Sequence, residues 1–142
     1  MRQRLSLLTL GVRDIARARR FYEEGLGWHL DGGQDDVAFY QSGGMVFALF
    51  EWPKLAEDAG VSSEGTGFRG VALAHNARSK EEVRDLLDEA RRAGAEIKVE
   101  AHDTFWGGYS GYFADPDGHL WEVAWNPFWK VDEEGNVTLS SG

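Results

Sequence analysis

The same order of strand and helix signals is written twice along this chain, about sixty-odd residues apart, with little residue identity between the copies. We read it as a duplicated supersecondary unit, which restricts the fold to two related modules. In the first copy, residues 5–12 form an apolar, β-like run. Asp14 then caps a helix whose Ile15, Ala18, Phe21 and Tyr22 share one face, and Gly25 ends it. Trp28 opens a second strand and Gly32-Gly33 supplies a turn. Residues 37–40 and 45–50 read as a hairpin about Ser42-Gly43-Gly44.

The second copy repeats the order. Residues 71–74 make a strand, and Ser79 caps a helix with Glu82 at the capping-box position. Val83, Leu86, Leu87 and Ala90 give its apolar stripe and Gly94 closes it. Residues 95–99 alternate as a half-exposed strand does, and 109–114 and 119–125 are two more strands. Asp115-Pro116-Asp117-Gly118 joins them as a turn, because Pro presets one dihedral and Gly accepts positive φ. The expected organisation is one domain over 1–142: module one at 5–52, a linker at 53–67, module two at 68–127 and a tail at 128–142. Within the linker, 54–58 suits a short helical turn, and glycines at 60, 65 and 67 argue against anything longer. The tail suits a small hairpin or a flexible end.

Composition narrows the function classes. The chain has 142 residues, 42% of them hydrophobic, enough to bury a core without staples. It has no cysteine, which removes disulfide, thiolate and Cys-zinc chemistry and fits a reducing cytoplasm. Its formal charge is −9, and its basic runs are only Arg19-Arg20 and Arg91-Arg92, so neither nucleic acid nor an anionic membrane is an expected partner. The first apolar run lacks a small-residue cleavage site and leads into Arg13-Asp14, so it reads as a strand and not a signal peptide. No Gly-x-Ser-x-Gly elbow or phosphate loop is present.

Three features then carry a family likeness: Gly11-Val12-Arg13-Asp14-Ile15 through Phe21-Tyr22 to Leu26-Gly27-Trp28, the doubled strand–helix order, and Phe113-Ala114-Asp115-Pro116-Asp117-Gly118-His119-Leu120-Trp121-Glu122-Val123. Over residues 5–126 the chain resembles the vicinal oxygen chelate superfamily, the glyoxalase, bleomycin-resistance and extradiol-dioxygenase proteins. The resemblance implies an α+β fold of two βαβββ modules pairing into an open U-shaped barrel with a concave cleft. It also implies one divalent ion, held by a His or Glu from the first and last strand of each module and acting as a Lewis acid on substrate oxygens. Carried over position by position, those sites fall on Leu7, Ala48, Arg69 or Gly70, and Glu122. One carboxylate does not make a catalytic divalent site, which needs about three protein ligands. No metal and no other cofactor is therefore expected. A Glu51/His75/Glu122 trio is the remaining arrangement, and it needs a strand slip that would also turn Phe47 and Leu49.

Glu122 is the candidate catalytic residue, since a carboxylate facing an apolar cleft suits proton transfer; its bland alternative is a structural pair with Arg69. Residues 102–112 place four aromatics, Phe105, Trp106, Tyr109 and Tyr112, among three glycines, which suits either a pocket rim or a packed cap or dimer contact. His75, at the end of its strand, is a candidate for a pocket hydrogen bond, while His102 falls in a loop and His119 on the surface. Asp14, Asp115 and Asp117 read as caps and turn-formers, Trp28, Trp121 and Trp125 as packing, and Arg13 as solvated or structural. The leading expectation is a metal-independent cytoplasmic homodimer that binds a small apolar or aromatic molecule. Phe105, Trp106, Tyr109, Tyr112, His75, Arg69, Leu7 and Ala48 would line the cleft, with Glu122 at its floor. The modules pair either within one chain or across two. The alternatives are a metal-using lyase, isomerase or dioxygenase of the same superfamily, and a protein-interaction module.

Overall fold

The computed structural model describes residues 1–139, so residues 140–142 of the expected tail lie outside the described residues. The chain divides into two compact units, Met1–Arg69 and Gly70–Gly142.

The first unit runs β1 (Leu7–Val12), α1 (Ile15–Arg20), β2 (Gly32–Gln34), β3 (Val37–Ser42), β4 (Met45–Glu51) and α2 (Trp52–Ala59). Its sheet has the order β1-β4-β3-β2, with β1 parallel to β4 and the other pairs antiparallel. Asp14 caps α1 by accepting from the Arg17 amide at 3.0 Å. The helix expected to run to Gly25 is α-helical only to Arg20 and widens into a π-helical turn over Phe21–Gly25, where the Leu26 amide reaches back five residues to Phe21. The widened turn leaves two consecutive aromatics, Phe21 and Tyr22, at 2% and 0% exposure.

Successive side chains of a strand alternate between faces. Leu10 and Val12 of β1, Phe47 and Leu49 of β4 and Ala38 and Tyr40 of β3 share the face under α1, and all are buried. Rings fill this core: Tyr22 lies 5.0 Å from Trp28 and 5.2 Å from Phe47, and Trp28 lies 5.1 Å from Phe47. Fully burying each such side chain contributes about 1.5–3 kcal/mol. The far face carries Leu7, Thr9 and Gly11 with Val46, Ala48 and Phe50. At its Gly11 end α2 packs down, and a Cβ on Gly11 would stand 3.2 Å from Trp52 and 3.5 Å from Leu55.

Three expectations need correction here. Gly32-Gly33 is not a turn but the start of β2, paired with Phe39 and Ala38; the chain turns at Asp35-Asp36. Gly33 serves close backbone approach, because a Cβ there would strike the Val37 carbonyl. Trp28 does not open a strand, and residues 28–31 are irregular. The helical turn expected at 54–58 is a two-turn helix, with Pro53 in its first turn and Gly60 closing it in the left-handed region at φ 73°.

The second unit runs β5 (Leu73–Ala77), α3 (Lys80–Ala93), β6 (Glu96–Asp103), β7 (Tyr109–Ala114), β8 (Leu120–Trp125) and a small hairpin, β9 (Lys130–Val131) with β10 (Val137–Thr138). Its main sheet is ordered β5-β8-β7-β6, with β5 parallel to β8, the same topology as in the first unit. Ser79 accepts from the Glu82 amide at 3.1 Å, while the Glu82 carboxylate takes the Arg78 amide at 2.8 Å. Gly94 ends the helix at φ 109°. Val83, Leu87 and Ala90 are buried against the sheet, where Phe113 stacks on Trp121 at 6.1 Å. Asp115 sets the β7–β8 turn, its carboxylate accepting from the amides of Asp117 and His119 at 2.9 Å each.

The strand expected at 71–74 begins instead at Leu73 and runs to Ala77, directly into the Ser79 cap. Its span follows from pairing with β8, which matches Leu73 to Trp121 and Ala77 to Trp125. The strand expected at 95–99 runs on to Asp103, absorbing two register shifts, so His102 lies in a strand and not a loop. Among the described residues no helix is long and apolar enough to cross a membrane.

Candidate functional site

The face that each β8 or β7 residue presents follows from Gly111. A Cβ there would stand 2.7 Å from Leu87 of α3, so Gly111, with its partner Val123, faces the helix. Tyr112 and Glu122, paired with each other one step along, therefore face away from α3, together with Ser110, Ala124 and Ala74. Ser110 and Ala124 are buried, and the two larger side chains are half-buried above them. Burial pushes the Tyr112 phenol above its ordinary value, and the charge of the facing Glu122 carboxylate adds to the rise. The pair can donate and accept hydrogen bonds at neighbouring points on a floor of small side chains.

The two modules can be laid over one another by their helix caps, Asp14 and Ser79, and by their parallel ladders, which end at Val12–Glu51 and Ala77–Trp125. On that register Ala48 corresponds to Glu122 and Leu7 to Ala72. By that alignment the corresponding position of module two is Ala72, the residue just ahead of β5, and not Arg69 or Gly70. The four positions from which the resemblance would draw metal ligands are Leu7, Ala48, Ala72 and Glu122. Three of these end in carbon and one in a carboxylate, so this donor set does not fit a divalent ion. The Glu51/His75/Glu122 trio does not fit either. His75 pairs with Val123 and so lies on the opposite face from Glu122, and Glu51 is bound by Lys54 at 3.0 Å. Among the described residues no three of His, Asp and Glu gather as metal ligands would.

The other expected site residues fall in both units. Tyr109 is three residues from Tyr112 and turns to the α3 face, where its hydroxyl accepts from Arg84 at 3.3 Å and its ring lies 5.5 Å from the Lys80 ammonium. His75 is exposed within β5 and does not end it. Phe105 and Trp106 sit in the β6–β7 turn, which is fixed by the Thr104 hydroxyl accepting from the Gly108 amide at 3.0 Å. Phe105 is fully exposed, and the Trp106 ring folds back over Gly108. Leu7 is 49% exposed on the far face of the first sheet, and Ala48 is buried on the same face. Arg69 rests over the Trp52 ring at 5.5 Å and donates to the Gly65 carbonyl at 2.7 Å.

Two groupings escaped the sequence reading. Arg13 lies 4.3 Å from the centroid of the same Trp52 ring. In the core of the first unit, Tyr40 donates to Glu23 at 2.8 Å, and Arg19 pairs with that carboxylate at 2.8 Å. Only the i,i+4 spacing of Arg19 and Glu23 signals the second grouping in advance.

Comparison with known proteins agrees with this architecture. The model of the Glyoxalase/Bleomycin resistance protein/Dioxygenase superfamily matches residues 4–123. A crystal structure of a glyoxalase-related enzyme from Fulvimarina pelagi is 39% identical, covering 98% of this chain and 99% of that one with a TM-score of 0.89. A glyoxalase/bleomycin resistance protein/dioxygenase from Nocardioides is 25% identical over 100% of this chain and 91% of its own, with a TM-score of 0.76. A lactoylglutathione lyase from Agrobacterium tumefaciens shares the fold at 19% identity and a TM-score of 0.66, covering 88% of this chain and 95% of its own. The search of curated proteins finds no match. With the doubled βαβββ topology and a family match across most of its length, the chain belongs to the glyoxalase/bleomycin resistance protein/dioxygenase superfamily.

Proposed function

We propose that the chain is a superfamily member that binds a small apolar or aromatic molecule without a divalent metal, using the Tyr112–Glu122 face of module two. One observation carries the reading: laying module one over module two sets Leu7, Ala48 and Ala72, all ending in carbon, beside Glu122 as the lone acidic group of the set. A half-buried carboxylate over small side chains selects a ligand that brings a hydrogen-bond donor to it, and an unfilled donor or acceptor there costs affinity. The ligand's apolar body would lie on the carbon surface of Ala74 and Ala124.

The test has two arms. Protein purified without chelator is expected to hold far less than one divalent ion per chain by elemental analysis. A thermal-shift screen of apolar and aromatic metabolites is expected to give hits that Glu122→Gln weakens roughly 10- to 100-fold, the worth of a hydrogen bond to a charged group. One tightly held ion per chain overturns the metal-free reading. Hits that ignore Glu122→Gln overturn the site.

A second reading is catalytic. The 39% identical structure is named as a glyoxalase-related enzyme, and Glu122 beside a phenol is placed to move a proton on a bound ligand. Turnover of a screening hit, abolished by Glu122→Gln with binding partly retained, would select it. The reading also takes the protein to be cytoplasmic and a homodimer, and sedimentation velocity tests the oligomeric state directly.

A further inference from the structure

We infer that the Ser110 hydroxyl is a second contact point on the Tyr112–Glu122 face, and that this face takes an uncharged aromatic molecule with a hydroxyl at one end and a carbonyl at the other. The inference rests on the binding reading above and names the ligand class that reading leaves open. Ser110 is 3% exposed, and among the described residues its hydroxyl has no hydrogen-bond partner. Buried hydroxyls nearly always have one, and leaving one without costs stability that an alanine would not. An alanine does occupy the paired position on β8, Ala124.

Strand register decides where that hydroxyl faces. Ser110 and Tyr112 are two residues apart on β7, so they share a face, the one turned away from α3. The ladders set Ser110 in a row across four strands with Asn76, Ala124 and His102. Three of those four side chains are polar, although Ser110 and Ala124 at the centre of the row are buried. The neighbouring row has Glu122 and Tyr112 at its centre, with Ala74 and Val99 outside them.

Glu122, Tyr112, Ser110 and Ala124 therefore stand at the corners of a four-sided patch. One diagonal joins Glu122 to Ser110, which as diagonal neighbours on adjacent strands lie about 7–8 Å apart. With both side chains reaching inward, the oxygens at opposite ends of a para-substituted benzene ring bridge that span. The other diagonal brings carbon to both sides of such a ring, the Ala124 methyl and the Tyr112 ring. A carboxylate only accepts, so Glu122 selects an O–H on the ligand, while the Ser110 O–H is free to donate to a carbonyl oxygen. A ligand carboxylate is disfavoured, because it would meet the charge of Glu122. Among the described residues, neither row holds a lysine or arginine to offset that repulsion.

The probes are 4-hydroxybenzamide, phenol, which lacks the carbonyl, and 4-hydroxybenzoate, which adds a charge. Each is titrated into the full chain near neutral pH and read by the assigned amide resonances of residues 110 and 112 in a two-dimensional proton–nitrogen spectrum. 4-Hydroxybenzamide is expected to bind saturably with millimolar affinity, roughly 3- to 10-fold tighter than phenol and severalfold tighter than 4-hydroxybenzoate. Ser110→Ala is expected to abolish the advantage over phenol while leaving phenol binding as it was. Its urea-unfolding midpoint should be unchanged or raised, since the lost hydroxyl bonds to nothing in the fold. Glu122→Gln is expected to weaken both neutral ligands. If Glu122→Gln weakens both and Ser110→Ala spares 4-hydroxybenzamide, the inference fails and the binding reading stands; if neither ligand responds to Glu122→Gln, both fail. A lowered unfolding midpoint in Ser110→Ala, a preference for 4-hydroxybenzoate, or no saturable shift by about 50 mM would also overturn the inference.

Discussion

Replacing Gly111 with alanine tests the register on which the position of Glu122 depends. The added methyl would stand 2.7 Å from Leu87 Cδ1, 2.7 Å from the Val99 carbonyl oxygen and 3.0 Å from the Ala101 amide nitrogen. Ordinary contact begins near 3.4 Å, so each neighbour must move by several tenths of an ångström. Leu87 can change rotamer, but Val99 and Ala101 are backbone of β6, and moving them breaks part of its ladder to β7. Overpacking of this kind costs about 1–3 kcal/mol, set against up to about 1 kcal/mol gained because alanine loses less backbone entropy in a strand. The net expectation is a loss of about 1–2 kcal/mol, or roughly 2–8 °C in Tm for a chain of this size. Urea unfolding followed by tryptophan fluorescence measures it, with Gly44→Ala as the control, since nothing lies within 4 Å of a Cβ there. If Gly111→Ala matched Gly44→Ala in stability, Gly111 would not face α3. Tyr112 and Glu122 would then lose their assignment to the opposite face, and the proposed function would go with it.

Tyr40→Phe should cost about 1–2 kcal/mol by urea unfolding, because a side chain 1% exposed loses its 2.8 Å bond to the Glu23 carboxylate. Arg19→Ala should cost less than about 1 kcal/mol, since that side chain is 40% exposed and its pair is screened. The Glu23 carboxyl is held below its ordinary 4.5, first by the Arg19 hydrogen bond and then, against the opposing effect of burial, by the Tyr40 hydroxyl. Because folding lowers this value, the stabilisation is present above about pH 4.5 and is lost as pH falls through the folded value. Tyr40→Phe should therefore shrink the acid-side loss in a stability-versus-pH series, and an unchanged acid limb would contradict the hydrogen bond. Glu122→Gln should lower the titration midpoint of Tyr112 toward 10 without reaching it, since burial is the larger cause of its rise. Difference ultraviolet titration against Tyr112→Phe reads it, and an unmoved midpoint would show that the two groups do not interact.

What could be read from the linear sequence was local. The β3–β4 hairpin at Gly43-Gly44, the bounds of α3 at Ser79 and Gly94, and the Asp115–Gly118 turn all lie where they were expected. Each is decided by dihedral preferences and hydrogen bonds spanning a few residues. Apolar runs also announced most strands, alternation announced β6, and the doubled order announced the family. Local signals misled where a residue serves a distant partner. Gly33 looked like a turn but answers to the Val37 carbonyl, and β5 was read early because its span is decided by β8, more than forty residues on.

The candidate site divides along the same line. Sequence alone identified Glu122 as the odd acid in an apolar strand and Tyr112 as an aromatic among glycines, and it showed carbon at Leu7 and Ala48. It had no means of separating Tyr109 from Tyr112, placing Ala72 in register with Leu7, or bringing Arg13 and Arg69 to Trp52. Residue chemistry belongs to the sequence, whereas the face a side chain takes and the neighbours it meets depend on ladder register. Hydrogen bonds between remote strands set that register, and a shift of one residue turns every side chain to the other side.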